Sequence, residues 1–529
     1  MVNKRTILLL VTLCWGLLPT SAQDWRAEFD KMKGSNKGAY DKFKKDARQE
    51  YKAFRDSAFN EYRKFVREAW AQVKGEPPKE LPKEEKVTPI MTKDADAETA
   101  SWLSNLFKRN KNKKTKQGKL KTVQGKGEEI GHQQVLMPEP VYEQPQPEFK
   151  VEESKVEPNE YRGFSLYGTE YRVRIGDNCK PTLKGIKPEE VDDALSVMNR
   201  PQYDDLLYDC LQERAKHHLS DWAYYQMLQV ITDQFYGKNS NVGSLVLAYL
   251  FTNSGYKVRM AHDDTHLYML VASRHYIYGN GYGHYEDGER YYLLDGRQLP
   301  VTIYLCSAHY LKEGAMSLQM SAEQTFSPNP TPKRTITSRK NNDFSFSVVS
   351  NKNYMDFYEV YPRSSINDNF MTQWVMYAET PLEKGVRDQL YPQMREKLKG
   401  LSQAEQVQQI LWWIQTGLKY EYDDKVWGGD RVFFGEESLF YPYCDCEDRA
   451  ILLSHLVRDL VGLDVALVYY PGHLAAAVAF TDDVDGNYYE HQGRKFVVCD
   501  PTIIPGRVGE VMFADAPATL MLLRSSSQR

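Results

Sequence analysis

The sequence predicts an α+β protein, with two similar globular units after a helical N-terminal segment and a disordered linker. In the C-terminal third, an apolar helical run over 451–457 is followed by β-rich runs over 463–470 and 474–480. A helix and strands in the same order recur upstream, between residues 244 and 295. The chain has 529 residues, which is enough for several domains.

The N-terminus has the composition of a secretory signal peptide. Lys4 and Arg5 precede an apolar stretch over 7–18, and small residues lead up to Ala22. This stretch is shorter than the about 20 apolar residues that span a bilayer. We therefore expect a signal peptide over 1–22, export to the periplasm or the extracellular space, and no transmembrane segment.

An 11-residue repeat predicts an amphipathic helix within residues 23–74. Tyrosine, phenylalanine and alanine recur at offsets that put all nine side chains on one helical stripe, with little supercoil. The stripe is interpreted either as a packing or self-association face, or as a surface that binds an envelope partner. Its members are Tyr40, Phe43, Ala47, Tyr51, Phe54, Ala58, Tyr62, Phe65 and Ala69.

Residues 75–160 have the composition of a disordered linker. Prolines punctuate a background rich in Lys, Glu and Gln, with few apolar positions. The basic residues between Lys108 and Lys126 have no acidic residue among them. This basic run is either simply solvated or a contact with anionic lipid or wall polymer. The net charge of the whole chain is −4, which excludes a globally basic nucleic-acid binder.

Three residues of the last unit, 381–529, have the chemistry of a nucleophilic site. Cys446 opens the apolar helix, where backbone N–H groups lower a thiol pKa and stabilise an oxyanion. His473 starts a strand, from which a ring nitrogen can take the thiol proton. Asp500 ends a neighbouring strand and would hold the imidazole tautomer. The acidic residues after Cys446 oppose thiolate formation, so His473 must supply much of the activation.

Three short blocks around these residues resemble the transglutaminase-like superfamily. They are Cys446-Glu447-Asp448-Arg449-Ala450, Gly472-His473 and Cys499-Asp500-Pro501-Thr502. The resemblance covers residues 380–510 and implies a papain-related α+β fold, with Cys446 as nucleophile, His473 as base and Asp500 orienting the base. The superfamily contains crosslinking acyltransferases, peptidases and glycoprotein deglycosylating amidases. It therefore implies the chemistry and leaves the substrate open.

Other interpretations of the site cysteines remain open. Cys446 is alternatively a buried structural thiol. With Cys444, His473 and Cys499 it is alternatively a zinc ligand, although a C-x-C pair lacks the usual spacing of structural zinc sites. A disulfide between Cys444 and Cys446 would regulate the nucleophile. We expect no metal and no cofactor, with calcium left open because its oxygen ligands come from scattered loops.

Six cysteines remain after signal-peptide cleavage, too few for a disulfide scaffold. Some can still pair in an oxidising compartment, and Cys179, Cys210 and Cys306 are the most plausible partners. The connectivity cannot be deduced from the sequence.

The upstream unit, 161–335, has the same order of elements without a thiol. His266 and Asp295 are 29 residues apart, against 27 for His473 and Asp500, and Asn241 stands near the cysteine position. We interpret this unit as a degenerate copy that binds substrate or packs on the active one. Chance similarity of two α+β segments is the alternative. A β-rich connecting segment is expected over 336–380.

The downstream unit contains an aromatic insertion before Cys446 that the upstream unit lacks. It includes Trp427 and Tyr443, which are candidates for a second oxyanion donor or for the wall of the cleft. Together these features predict a secreted peptidase or amidase acting on a protein or peptide. The alternatives are transglutaminase-type crosslinking and a catalytically inert envelope scaffold.

Overall fold

The structure is a computed structural model that describes residues 42, 45, 49, 52–109, 119–122, 126–132, 134–154, 160–279, 283–286, 288–310, 312–321 and 323–525. The chain divides into two compact units, Met1–Tyr62 and Arg63–Arg529. The predicted signal peptide and much of the basic run, residues 110–118 and 123–125, lie outside the described residues. None of the helices in the described ranges has the length and apolar character that crossing a bilayer requires.

The described part of the first compact unit is helical over 52–62. Four members of the predicted stripe, Tyr40, Phe43, Ala47 and Tyr51, lie outside the described residues. Of the other members in this unit, Ala58 and Tyr62 are buried, whereas Phe54 is 60% exposed. The phenylalanine position of the repeat is therefore at the surface here, while the other two positions are covered.

The second compact unit begins with a short helical stretch over 63–68, in which Phe65 is exposed. The predicted helix stops there, because the next element is strand β1 (Trp70–Lys74). This strand pairs along its whole length with a strand more than 200 residues later. Long-range sheet pairing therefore decides the conformation of 70–74, which local periodicity assigned to the helix.

The other α-helices described in this unit are α1 (Ala97–Arg109), α2 (Pro188–Ser196), α3 (Pro201–Lys216), α4 (Asp221–Tyr236), α5 (Asn241–Asn253), α6 (Lys352–Glu359), α7 (Met371–Glu379), α8 (Lys384–Leu398), α9 (Gln403–Gly417), α10 (Asp423–Val426), α11 (Glu437–Phe440) and α12 (Cys446–Leu456). Side-chain caps fix several helix starts: the Ser402 side chain accepts the Glu405 N–H at the start of α9, and the Ser240 hydroxyl accepts the Gly243 N–H at the start of α5. Short 3₁₀ turns cover Asp177–Cys179 and Val197–Asn199, and a π-helical turn over Val457–Val461 extends α12.

The strands after β1 are β2 (Ile90–Met91), β3 (Gln134–Leu136), β4 (Tyr161–Leu166), β5 (Thr169–Arg174), β6 (Val258–His262), β7 (Leu267–Ser273), β8 (Tyr276–Ile277), β9 (Gly283–Glu286), β10 (Glu289–Leu293), β11 (Thr302–Cys306), β12 (Arg334–Thr337), β13 (Ser345–Val348), β14 (Ser364–Ser365), β15 (Lys419–Tyr420), β16 (Tyr443–Cys444), β17 (Asp464–Tyr470), β18 (His473–Ala479), β19 (Tyr488–His491), β20 (Arg494–Cys499), β21 (Ile503–Ile504) and β22 (Thr519–Leu522). With the helices they make a mixed α+β protein, as the sequence predicts.

Two six-stranded sheets have the same strand order. The upstream sheet runs β1-β11-β6-β7-β10-β9, and the downstream sheet runs β3-β22-β17-β18-β20-β19. All pairs are antiparallel except β3 and β22, which are parallel. Each central hairpin also follows a helix pair in the chain: α4 and α5 before β6–β7, and α9 and α12 before β17–β18.

The downstream sheet is covered on both faces around β18. Ala475, Ala477 and Ala479 belong to a buried cluster with Tyr489 on one face. Helix α12 packs against the same strand. Successive side chains of a strand point to opposite faces, so a strand of small residues such as β18 admits close neighbours on both sides. This packing brings the first turn of α12 to the end of the sheet at which β18 begins.

The range predicted as a disordered linker contains regular structure in its described part. Helix α1 buries Leu103 and Leu106 against Tyr420, Tyr422 and Ile504. Strand β2 pairs with β21, and β3 pairs with β22. The few apolar residues of this range are thus placed on a core formed by later sequence. A composition average over the whole range hides that placement.

The connecting segment over 336–380 is less β-rich than expected. A strand does form at β13, but the aromatic residues around Phe357 and Trp374 lie in helices α6 and α7. In α6 the buried side chains Tyr354, Phe357 and Tyr358 recur at helical spacing. Aromatic and β-branched residues favour strands only weakly, and burial at a helical period overrides that preference here.

Candidate active site

The three predicted site residues lie at the ends of elements that meet in the downstream half of the chain. Cys446 is the first residue of α12, His473 is the first of β18, and Asp500 follows the last residue of β20. Strands β18 and β20 are antiparallel neighbours. All three residues are 2% exposed. Cys446 and His473 both line one cavity of about 730 Å³.

His473 and Asp500 form a buried pair. His473 Nε2 lies 2.9 Å from Asp500 Oδ2. The other carboxylate oxygen, Oδ1, accepts the backbone N–H of Thr502 at 2.8 Å, which fixes the carboxylate. The ring of His473 packs beside those of Tyr470 and Phe513, with centroids 6.0 Å and 5.8 Å away. Its Nδ1 atom is buried and has no hydrogen-bond partner among the described residues, so this nitrogen is the one available to receive a proton.

The thiol of Cys446 donates its hydrogen bond to a neighbour on its own helix. Sγ lies 2.9 Å from Oε2 of Glu447. Burial raises the pKa of Cys446 well above its ordinary value, and the charges of Glu447 and Asp445 raise it further, while Lys86 lowers it. The thiol is therefore protonated at neutral pH in this arrangement. The hydrogen bond of the thiol is thus directed to Glu447 and not to His473.

The start of α12 is unusually acidic for a buried helix. Asp445, Glu447 and Asp448 are each at most 2% exposed. Asp448 is held by the backbone N–H groups of Phe433, at 2.9 Å, and Asp445, at 3.1 Å. Burial and the like charges of its neighbours raise the pKa values of Asp445 and Asp448.

Asp423, on the insertion before Cys446, faces the same carboxylates. Its Oδ2 accepts the backbone N–H of Arg431 at 2.8 Å. Burial, Asp448 and Glu447 raise the pKa of Asp423 to about 9. Carboxyl groups in this cluster therefore share protons at neutral pH.

The cation in contact with this cluster is the ammonium group of Lys86. Its Nζ lies 3.0 Å from Asp445 Oδ2 and 3.0 Å from Asp430 Oδ1, and it also binds Glu447 Oε1. Burial raises the pKa of Glu447, but the charge of Lys86 and hydrogen bonds from its neighbours bring it down to about 2. Oxygen and sulfur atoms here lie close enough to one another to hold a cation, and three of the carboxylates, those of Asp430, Asp445 and Glu447, contact this lysine.

Lys86 belongs to a segment that forms one wall of the cavity. Residues 80–86 all line it. The segment pairs with Gly472, the residue before the histidine: the Val87 N–H donates to the Gly472 carbonyl at 3.0 Å, and the Gly472 N–H donates to Glu84 at 3.0 Å. Nothing in the sequence marked this segment as part of the site, because it lies about 360 residues before Cys446.

Part of the cavity lining is aromatic. Phe370, Trp374 and Tyr469 all line it. Phe370 and Trp374 have ring centroids 5.5 Å apart, and Tyr469 packs on both. Tyr278 and Gly279, from the upstream half of the chain, also line the cavity. The lining therefore combines the acidic residues around Cys446 with aromatic side chains that can contact an apolar group.

The aromatic insertion before Cys446 lines the cavity, but not through Trp427 or Tyr443, the residues proposed from the sequence. Its lining residues are Tyr422, Asp423, Asp424, Gly428, Gly429, Asp430 and Val432. Trp427 packs on Tyr441, 4.7 Å between ring centroids, with the Arg431 guanidinium 4.5 Å above it. Tyr443 is 37% exposed on β16. Neither Trp427 nor Tyr443 lines the cavity, since Trp427 packs on other rings of the insertion and Tyr443 is at the surface.

The upstream residues Asn241, His266 and Asp295 do not form a pair like that of His473 and Asp500. Asn241, at the start of α5, bonds the Thr265 carbonyl at 2.9 Å and the Leu267 N–H at 2.8 Å, on either side of His266. The His266 side chain is 55% exposed and contacts Thr265. Asp295 instead binds Arg297, at 2.6 Å. The positions match those of the downstream site, but the contacts are structural.

Cys444 is buried and directs its sulfur to the Lys419 carbonyl, at 3.8 Å. Burial raises the pKa of Cys444 to about 11. Cys179, Cys210, Cys444, Cys446 and Cys499 are free thiols, so neither the Cys444–Cys446 disulfide nor one between Cys179 and Cys210 is formed.

No protein-family model matches the chain, and no curated protein matches its sequence. The site is therefore interpreted from its own geometry.

Proposed function

We propose that this protein is an exported, cysteine-dependent acyl transferase acting on amide bonds, with Cys446 as nucleophile, His473 as base and Asp500 orienting the base. Water is the proposed acceptor, which makes the enzyme a peptidase or amidase. The observation that carries the proposal is that a buried His473–Asp500 pair and Cys446 open into one cavity.

The proposed reaction starts with transfer of the thiol proton from Cys446 to Nδ1 of His473. The thiolate then forms a bond to the amide carbonyl carbon, and the carbonyl oxygen becomes an oxyanion. First-turn N–H groups of a helix lack intrahelical acceptors, so those at the start of α12 are the proposed oxyanion donors. The C–N bond breaks as the amine takes the proton from His473. Water, deprotonated by His473, hydrolyses the thioester and releases the carboxylic acid and the thiol.

The two sheets of equal strand order support two transglutaminase-like units in tandem. The upstream unit has Asn241 where the downstream unit has its thiol, and Asp295 binds Arg297 rather than a histidine. We therefore propose that it is a pseudo-domain. Tyr278 and Gly279 line the cavity, which supports a role in binding substrate.

Crosslinking is the second candidate, and one observation favours it. A primary ammonium group, that of Lys86, is bound by Asp445 and Glu447 on either side of Cys446. An acidic cleft that accepts this group is compatible with an amine acceptor. The two reactions are separated by offering a glutamine-rich protein with a labelled primary amine: incorporation of the label indicates crosslinking, whereas new carboxylate or new N-termini indicate hydrolysis.

The proposal is tested by iodoacetamide alkylation of each cysteine as a function of pH, mapped by mass spectrometry, in the wild type and in His473→Ala. We expect Cys446 to react faster near pH 7 than the other thiols and to slow by at least about tenfold in the variant, since one pKa unit is a tenfold change in thiolate. Asp515→Asn, an exposed charge change away from the cavity, is the control. Equal rates in wild type and His473→Ala would favour the inert scaffold.

A further inference from the structure

The ammonium group of Lys86 contacts several carboxylates of the site, and the proposed reaction gives it no role. Its ammonium binds Asp430, Asp445 and Glu447 together. The side chains of Asp445 and Glu447 are 0% and 2% exposed, so both carboxylates depend on partners supplied by the protein. Removing one member of a buried ion pair leaves an uncompensated charge.

The two carboxylates that Lys86 binds flank the nucleophile in sequence. Glu447 uses both of its oxygens: Oε2 accepts the thiol of Cys446, and Oε1 accepts from Lys86. A carboxylate without a cation at this distance would hold the proton on sulfur by like-charge repulsion of the thiolate. The lysine therefore counters the disadvantage that the acidic start of α12 imposes on its own cysteine.

The backbone on both sides of Lys86 is fixed. On one side, Glu84 accepts the Gly472 N–H and the Tyr469 hydroxyl. On the other, Val87 is fully buried and donates its N–H to the Gly472 carbonyl, and the Thr88 hydroxyl accepts that of Tyr422 at 3.1 Å. The ammonium group is thus held at the cluster by the fold of the segment rather than by its own flexible side chain.

We propose that Lys86 is a positioning residue of the Cys446 centre, whose ammonium holds the Asp445 and Glu447 carboxylates so that the thiol can pass its proton to His473. This inference rests on the proposed function. It assigns a role at the site to a segment that the sequence marks only as linker. The groups that face the thiol in this arrangement are Glu447 from α12, Asp445 just before that helix, Lys86 from the cavity wall, and Tyr420 and Tyr422 after α9. His473 from β18 lines the same cavity.

The test compares the pH profile of Cys446 alkylation in Lys86→Met, Lys86→Arg and Lys93→Met. We expect Lys86→Met to react at least about tenfold more slowly at pH 7, with its profile displaced to higher pH. Lys86→Arg keeps the charge and should stay within about threefold of wild type. Lys93 follows β2, is exposed and does not line the cavity, so Lys93→Met should match wild type. Thermal unfolding of each variant identifies any that fails to fold.

A double variant keeps the proposal testable if Lys86→Met does not fold. Lys86→Met with Glu447→Gln removes the cation and one carboxylate together. If Lys86→Met folds, we expect the double variant to react about tenfold faster than Lys86→Met at pH 7. If Lys86→Met is unfolded, we expect the double variant to fold and to react within about tenfold of Glu447→Gln. Failure to meet that expectation would overturn the role given to Lys86.

The remaining outcomes separate this inference from the proposed function. If His473→Ala is slow but Lys86→Met behaves as wild type, the Lys86 role is wrong and the Cys446–His473 pair stands. If Lys86→Met reacts faster than wild type, the segment obstructs the thiol instead of preparing it, and the inference is also overturned. If Lys86→Met is slow while His473→Ala is unchanged, the effect of Lys86 on the thiol stands and the proposed function fails.

Discussion

The Sγ atom of Cys446 lies 2.9 Å from Oε2 of Glu447 and donates its hydrogen bond to that carboxylate. The His473–Asp500 pair beside it is already formed, with Nδ1 of His473 unbonded among the described residues. The proposed proton transfer therefore requires the thiol to leave its hydrogen bond with Glu447.

Glu447→Gln should make Cys446 more reactive at neutral pH. The substitution removes a negative charge that raises the pKa of the thiol, so the thiolate fraction at pH 7 rises. We expect alkylation about tenfold faster at pH 7 and a profile displaced to lower pH, measured by the same mass-spectrometric mapping. The two rates should converge only at pH values above the raised pKa of the wild-type thiol, where Cys446 is ionised in both proteins. A slower reaction at pH 7 would show that Glu447 assists the thiol instead.

Asp500→Asn should reduce turnover much more than stability. The carboxylate binds Nε2 of His473. In the proposed reaction it stabilises the imidazolium that forms when His473 takes the thiol proton. An asparagine keeps the shape and loses the charge, so we expect a fall of about 10²- to 10⁴-fold in hydrolysis of a suitable amide substrate. The melting temperature of the variant should be compared with wild type. A variant with full activity would exclude Asp500 from the reaction.

Gly472→Ala should displace the segment that carries Lys86. Gly472 has φ +83°, and an added Cβ would overlap the carbonyl oxygen of Glu85. The left-handed backbone alone costs about 1 kcal/mol for alanine. We expect a loss of about 2–3 kcal/mol in the free energy of unfolding, together with faster proteolysis at the exposed residues Pro82–Glu85.

Gly493→Ala is the matched control for that variant. Gly493 also has a positive φ, +72°, but nothing lies within 4 Å of an added Cβ. Gly493→Ala should lower the free energy of unfolding only by the cost of the left-handed backbone, about 1 kcal/mol. It should leave proteolysis at Pro82–Glu85 unchanged. Equal effects of the two substitutions would show that contact with Glu85 adds nothing.

Arg449→Met should destabilise the fold that holds the site. The guanidinium of Arg449 is fully buried and donates to the carbonyls of Leu418, at 3.0 Å, and Pro501, at 3.2 Å. These bonds tie α12 to the turn after Asp500. Leaving buried carbonyls without donors costs about 1–3 kcal/mol each, so we expect a loss of about 3 kcal/mol in denaturant unfolding.

The control for Arg449 is Arg494→Met. Arg494 pairs with Asp464 at 2.8 Å, but its side chain is 53% exposed. Exposed ion pairs contribute about 0–1 kcal/mol, so this variant should be nearly as stable as wild type. Similar losses in the two variants would contradict the structural role given to Arg449.

Local sequence patterns predicted helices and strands correctly where the residues of one short stretch are enough to define the element. The start of α12 at Cys446, the strand beginning at His473 and the strand ending before Asp500 could all be placed from hydrophobic runs and turn residues. The aromatic runs of 336–380 could not, because the same side chains suit a strand or a buried helix face. Trp427 and Tyr443 illustrate the same limit, since aromatic content does not tell whether a side chain faces a cavity or another ring.

By itself the sequence determined an α+β fold, the order of helices and strands around Cys446, His473 and Asp500, and the chemistry those residue types offer. The tertiary structure decided that Lys86 binds the carboxylates beside Cys446, that the thiol points to Glu447, and that Asp295 pairs with Arg297 upstream. The physical reason is the separation along the chain between the residues that interact. Helices and strands arise from periodicities of a few residues, whereas a buried charge selects its partner from whatever the whole fold brings within about 3–4 Å.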